Sequence, residues 1–209
     1  GTVLKVIVSR LYRFAGKVSE KIWFTNEIDH DYFLTHDILP KEKAILTKNY
    51  VNTDEYTPSA VTDDQIEALK KEIGIKDDEK VVVLVARMSW AKGIKEFIEA
   101  AKILRDELPM LKFLLVGPED TGSSDRVPAS YIRENEKFDN FKWLGFRKDV
   151  KELYALSDLA VYPSYYREGG YPRGLTEPMS MGKPIITTDS IHCRRTVDDG
   201  KNGYIVPMK

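Results

Sequence analysis

Apolar residues at Val3, Leu4, Ile7, Leu11, Phe14, Ala15 and Val18 recur at the spacing of one helical face and predict a helix over 3–18. Residues 21–26 (KIWFTN) read as a strand, 27–35 as a helix and 44–49 as a second short strand. Turn formers then cluster at Asn52, Thr53, Asp54, Thr57, Pro58 and Ser59, which places a hinge or domain boundary in 51–58. A new unit opens at Thr62, whose pairing with Gln65 forms a capping box. Ile66, Leu69 and Ile73 give that helix its buried stripe, and Gly74 stops it. The run 81–86 (VVVLVA) is apolar at every position, the pattern of a parallel strand covered on both faces. Ile94, Phe97, Ile98, Ala101, Leu104 and Leu108 supply the inner face of the next helix. Strands follow over 111–117, 141–145, 158–163, 185–189 and 204–206, with helices over 128–137, 149–156, 175–181 and 193–197. Strands alternating with helices in this way predict the α/β class, a doubly wound parallel sheet with right-handed crossovers. No internal repeat or low-complexity tract interrupts it.

Composition narrows the function classes. The 209 residues carry 32 Lys plus Arg against 33 Asp plus Glu, a net charge of −1, with 42% apolar residues. That composition is globular, and the charge balance argues against a dedicated nucleic-acid binder. Cys193 is the single cysteine, so a disulfide framework and a cysteine-rich metal site are both excluded and a reducing, cytoplasmic setting is expected. Lys5, Arg10 and Arg13 break up the opening apolar stretch, which is neither a membrane span nor a signal peptide. Five basic residues against one Glu in 1–25 leave two readings of the first helix: packed on a sheet, or lying at a membrane surface. Asp29-His30-Asp31 invites a metal reading. On a helix, however, positions two apart point to different sides, and no further acidic cluster adjoins them.

In doubly wound sheets, ligands sit beyond the carboxyl ends of the strands. Two loops there carry unusual chemistry. The first, 87–93, sets Arg87, Lys92 and Gly93 between the buried strand and a helix N-terminus. A lone cation there would read as solvation of the helix start. Two cations, with the helix dipole and free N–H groups, read as an anion site suited to a diphosphate. The second, 165–178 (YYREGGYPRGLTEP), has three glycines that permit close backbone approach to a ligand, with Pro178 in the first turn of the following helix. Glu168 and Glu177 bracket it. Such carboxylates accept hydrogen bonds from sugar or ribose hydroxyls and stabilise positive charge on an anomeric carbon, though each alone is also an ordinary loop or helix-start acid.

The ordered set R-x4-K-G at 87–93, E-G-x-x-P-R-G-L-T-E-P-M-S-M-G-K-P-I-I-T-T-D at 168–189, LGFRKDV at 144–150, AVYPS at 160–164 and VDDGKNGY at 197–204 resembles retaining glycosyltransferase family 4. Enzymes of that family transfer sugars from nucleotide-sugars and have the two-domain, Rossmann-like GT-B fold. The resemblance covers residues 63–209 strongly and 1–60 weakly. It implies residues 59–209 as the nucleotide-sugar donor-binding domain, truncated at its C-terminus, and 1–58 as a remnant of the acceptor-side N-terminal domain and hinge. It implies that Arg87 and Lys92 hold the donor diphosphate and that Glu177 binds the ribose hydroxyls. The backbone N–H groups of Gly174, Leu175 and Thr176 would face phosphate, and Phe146 and Arg147 would lie against the nucleobase. Gly170, Tyr171, Pro172 and Arg173 would line the sugar, and Glu168 would stabilise its oxocarbenium-like state. Eight residues separate Glu168 from Glu177 where the family has seven, which puts Gly169 at the expected position of the first glutamate and predicts a one-residue bulge at Gly169-Gly170. His192-Cys193-Arg194-Arg195 also departs from the family's Gly-Cys-Arg-Glu.

The expectation is a metal-independent, cofactor-free transferase in which the leaving phosphate takes the acceptor proton, with a UDP-sugar as substrate. Within the family, the pattern is similar to bacterial enzymes of O-antigen, capsule and lipid-linked glycan assembly. That implies transfer of an N-acetylhexosamine such as GalNAc to an undecaprenyl-diphosphate-linked acceptor at the inner membrane face. The remaining partners would be the missing N-terminal domain and, peripherally, the membrane, with no nucleic acid. The alternatives are a UDP-sugar epimerase, or a non-catalytic nucleotide- or sugar-binding module, which would not need both loops.

Overall fold

The computed structural model describes residues 2–47 and 49–208. They fall into two compact units, one formed by the described residues up to Tyr50 with Gly169–Tyr171, the other by Val51–Glu168 with residues 172–208.

The first unit contains helix α1 (Thr2–Val18), strand β1 (Ile22–Phe24), helix α2 (Glu27–Thr35) and strand β2 (Ala44–Leu46). β1 and β2 pair in parallel, Trp23 opposite Ile45. Asn26 caps α2 by accepting the Asp29 N–H through its side chain, so the chain turns from strand to helix within two residues. α1 forms where the periodicity places it, but its apolar stripe is not packed on the sheet as a core helix would be. Leu4, Ile7, Leu11, Phe14 and Val18 are all exposed. The side that packs is the smaller, more polar one: Tyr12 meets Phe33 edge-on at 4.8 Å, and Gly16 is buried against Leu39. Arg13 donates to the carbonyls of His36 and Asp37, and Lys43 Nζ donates to the Gly16 carbonyl at 2.7 Å. The pattern specified an amphipathic helix correctly; which face is covered depends on what surrounds it.

The second unit carries six strands: β3 (Lys80–Val85), β4 (Leu111–Val116), β5 (Phe141–Trp143), β6 (Leu159–Tyr162), β7 (Ile185–Thr188) and β8 (Gly203–Val206). They form one sheet in the order β5-β4-β3-β6-β7-β8, every neighbouring pair parallel. Winding runs outward from β3 to β5, then returns to β6 beside β3 and proceeds the other way. The expected doubly wound parallel sheet is therefore present, and its switch point lies between β3 and β6. Helices α3 (Asp63–Ile73), α6 (Val150–Leu156) and α7 (Arg173–Ser180) pack with one another and on β3, β6 and β7. Helices α4 (Ile94–Glu107) and α5 (Ala129–Asn135) pack on β4 and β5. Val81–Leu84 and Phe113–Val116 are buried at every position, which is why these strands read as unbroken apolar runs. The Thr62–Gln65 capping box closes α3 from both directions, and Gly74 ends it in the left-handed conformation.

Two local expectations are corrected. The segment expected as a helix over 193–197 lies instead in turns over 191–196, held by Arg194 N–H to the Ser190 carbonyl and Thr196 N–H to the Cys193 carbonyl. α7 begins at Arg173, so Pro178 lies inside the helix rather than in its first turn. Pro172, extended at φ −66°, provides the N-cap two residues earlier than the sequence pattern suggested.

Candidate active site

The loops after β3 and β6 meet at the switch point because two glycines allow it. Gly93, at φ +76°, ends the short 3-10 turn Trp90–Lys92, and a Cβ there would lie 2.4 Å from the Pro163 carbonyl oxygen. Gly174, in the first turn of α7, sits on the Tyr162 ring, and its Cβ would fall 2.6 Å from Cε2. The amides of Tyr165 and Tyr166 both donate to the Ala91 carbonyl, which ties the second loop to the first.

This packing seats Lys92 in the interior, 7% exposed. Its Nζ donates to Glu168 Oε1 at 2.5 Å and to the Tyr162 hydroxyl at 2.9 Å. The same Oε1 accepts from the Tyr162 hydroxyl at 3.0 Å and from Ser164 Oγ at 2.9 Å. The ammonium also lies 4.9 Å from the Tyr166 ring centroid, within cation–π range. Burial, reinforced by the charge of Glu168, pushes the Tyr162 phenol far above its usual pKa, so it remains a donor at any ordinary pH. Glu168 itself, rather than the position of Gly169, supplies the carboxylate beside Lys92 despite the eight-residue spacing.

Arg87 lies at the end of β3 with its side chain largely exposed, paired to Asp120 at 3.0 Å. In α7, Glu177 is buried and accepts from Arg173 Nε at 2.7 Å and Nη2 at 2.6 Å. Burial raises the Glu177 pKa despite the lowering influence of Arg173 and of the nearby Tyr56 hydroxyl. The Leu175 and Thr176 amides both donate to the Pro172 carbonyl inside the first turn of α7. Phe146 is exposed, whereas Arg147 is locked between Glu72 and Asp149, which raises its pKa still further. Gly170 and Tyr171 group with the first unit, where Asn49 Nδ2 donates to the Tyr171 carbonyl at 3.2 Å.

Within the second unit, Lys92 and Glu168 are therefore joined directly, Arg173 and Glu177 form a second pair, and Arg87 and Arg147 each face acidic partners of their own. Sequence reasoning missed Tyr162 and Ser164. Both stood in the AVYPS segment of the resemblance without a role, at or just beyond the carboxyl end of a strand bordering the switch point. Asp29, His30 and Asp31 lie on α2 as expected, with Asp29 bonded to Asn26 and His30 to Asp31. Among the described residues no group of three or more His, Cys, Asp or Glu could hold a metal ion, and no helix is long and apolar enough to cross a membrane.

A doubly wound parallel sheet with a cation–carboxylate cluster at its switch point defines a Rossmann-type ligand-binding unit. The chain belongs to the family of group 1 glycosyl transferases, whose profile matches residues 65–209. It is 26% identical over 207 residues to the N,N'-diacetylbacillosaminyl-diphospho-undecaprenol alpha-1,3-N-acetylgalactosaminyltransferase of Campylobacter jejuni, covering 99% of this chain and 52% of that protein. It is 30% identical over 154 residues to the alpha-galactosylglucosyldiacylglycerol synthase of Streptococcus pneumoniae, covering 72% of this chain and 39% of that one. The structure of Anabaena HepE in complex with UDP-glucose superposes with a TM-score of 0.75 at 22% identity, over 95% of this chain and 53% of that one. That neighbour has the GT-B fold. The chain thus spans about half the length of the Campylobacter relative and less of the Streptococcus one.

Proposed function

We propose that residues 59–209 form the donor-binding domain of a retaining glycosyltransferase that uses a UDP-sugar, and that residues 1–58 belong to the acceptor-side domain and hinge. The observation that carries this reading is the convergence of the β3 and β6 loops on the Lys92–Glu168 pair. A diphosphate placed there meets Arg87 and Lys92, two cations that neutralise charge as the leaving group departs. Glu177 takes the ribose hydroxyls, in exchange for part of its bonding to Arg173. Gly174 carries its N–H at the α7 N-terminus toward phosphate. Phe146 and Arg147 flank the base, and Pro172 and Arg173 with Glu168 line the sugar. With the cations fixed in place, the chain's contribution is positioning and electrostatic stabilisation, and the leaving phosphate accepts the acceptor proton. This chemistry requires no metal and no cofactor.

The activity in the name of the Campylobacter relative supports an N-acetylhexosamine, GalNAc first, and an undecaprenyl-diphosphate-linked acceptor. The UDP-glucose complex of the Anabaena neighbour supports uridine as the base.

Calorimetric titration with UDP tests the donor site. Loss of a hydrogen bond to a charged group costs about 1.5–3 kcal/mol. Arg87→Ala should therefore weaken UDP roughly 10- to 100-fold. Unchanged affinity in both Arg87→Ala and Lys92→Ala refutes the diphosphate assignment. Turnover of a protein spanning both domains with a panel of UDP- and GDP-sugars then identifies the sugar.

A further inference from the structure

We propose that Tyr162 is a positioning residue of this site, its phenol locking the Lys92 ammonium and the Glu168 carboxylate into one oriented unit with help from Ser164. The inference rests on the donor-site reading only for what the unit acts upon; its geometry stands by itself. An ammonium group has donors and no acceptor, so the Tyr162 oxygen must accept at the 2.9 Å contact with Lys92. Its single proton is then committed to Glu168 Oε1 at 3.0 Å. Ser164 Oγ, fully buried, adds a donor to the same oxygen at 2.9 Å. Three donors thus converge on Oε1, and none of the three engages Oε2. A carboxylate held by one oxygen presents the other in a fixed direction, the requirement for contacting a sugar hydroxyl or a developing oxocarbenium ion.

The ring is as constrained as the hydroxyl. Gly174 packs on its edge, and Thr187 Oγ1 donates to the Tyr162 carbonyl at 2.8 Å. Phenylalanine at this position would fill the same space and leave the pair without its bridge. That separates positioning from packing.

Two measurements on the chain with Tyr162→Phe test this. In 1H–15N spectra of the lysine ammonium groups, wild type should show a protected Lys92 signal, assigned by its absence in Lys92→Met. Tyr162→Phe should speed its exchange with water at least about fivefold, and Ser164→Ala by less. Titrations with UDP and with UDP-N-acetylgalactosamine should show the ratio of the two affinities falling at least about threefold in Tyr162→Phe. Unchanged exchange in a folded Tyr162→Phe variant overturns the proposal, as does an unchanged affinity ratio. Failure of wild type to bind either ligand refutes the donor reading alone, and ammonium exchange then decides the role of Tyr162. If Tyr162→Phe does not fold, Ser164→Ala decides by the same exchange measurement: faster exchange supports the locked unit, and wild-type exchange overturns it.

Discussion

Gly174→Ala sets two ordinary expectations against each other. Alanine is favoured over glycine in a helix by up to about 1 kcal/mol. In this position, however, the new methyl would lie 2.6 and 2.7 Å from two ring carbons of Tyr162 and 3.2 Å from the Val85 carbonyl oxygen. Carbon atoms in contact settle at about 3.5–4.0 Å, so two ring atoms would be about 1 Å too close. The ring has little room to retreat, because it is 5% exposed and its hydroxyl is bonded to Lys92 and Glu168. Moving it weakens hydrogen bonds to charged groups, each contributing about 1.5–3 kcal/mol. Overpacking of a core typically costs about 1–3 kcal/mol. The clash outweighs the propensity gain, and a net loss of about 1–2 kcal/mol is expected. For a unit of this size that lowers Tm by roughly 2–8 °C. Gly122→Ala is the control, since a Cβ there meets nothing within 4 Å and should leave stability unchanged or slightly higher. Thermal melts followed by circular dichroism read both. A Gly174→Ala variant melting at or above wild type would refute the argument that the α7 start is packed on Tyr162.

Lys92→Met leaves a nearly buried carboxylate without its cation, and should destabilise the second unit by about 3–5 kcal/mol in urea titrations. Adding Glu168→Gln should recover at least half of that loss; no recovery would mean that the pair is not coupled. Glu177 behaves oppositely to a surface acid. Its folded pKa is raised above the ordinary 4.5, so ionisation opposes folding at neutral pH, and stability should rise as pH falls through the raised value. Glu177→Gln should flatten the stability profile just above pH 4.5, and an unaltered profile would contradict the burial argument. Thr62→Ala removes half of the α3 capping box and should cost about 1 kcal/mol, read as a shift in the urea midpoint at constant slope.

The sequence alone determined the six strands and most of the helices of the second unit, because their apolar period is set by burial on one face or on both. The run 81–86 announced a strand covered on both faces, Thr62 with Gln65 announced the start of α3, and the two loops carrying Arg87, Lys92, Glu168 and Glu177 stood out by residue type. What the period could not supply was the partner of each face and each charge. The stripe of α1 was visible, but its exposure depends on what lies against it. Arg147 and Glu72 are 75 positions apart and meet only because α3 and the segment beyond β5 pack together. The one-residue excess between Glu168 and Glu177 left open whether Glu168 reaches the other loop, and only the fold brings its carboxylate onto Lys92. Tyr162 stood in the AVYPS segment with no role attached to it; it matters because β3 and β6 are neighbours and Gly93 and Gly174 let their loops close over it. Local physics writes the elements into the chain, while long-range packing chooses which side chains meet, and a site is made of such meetings.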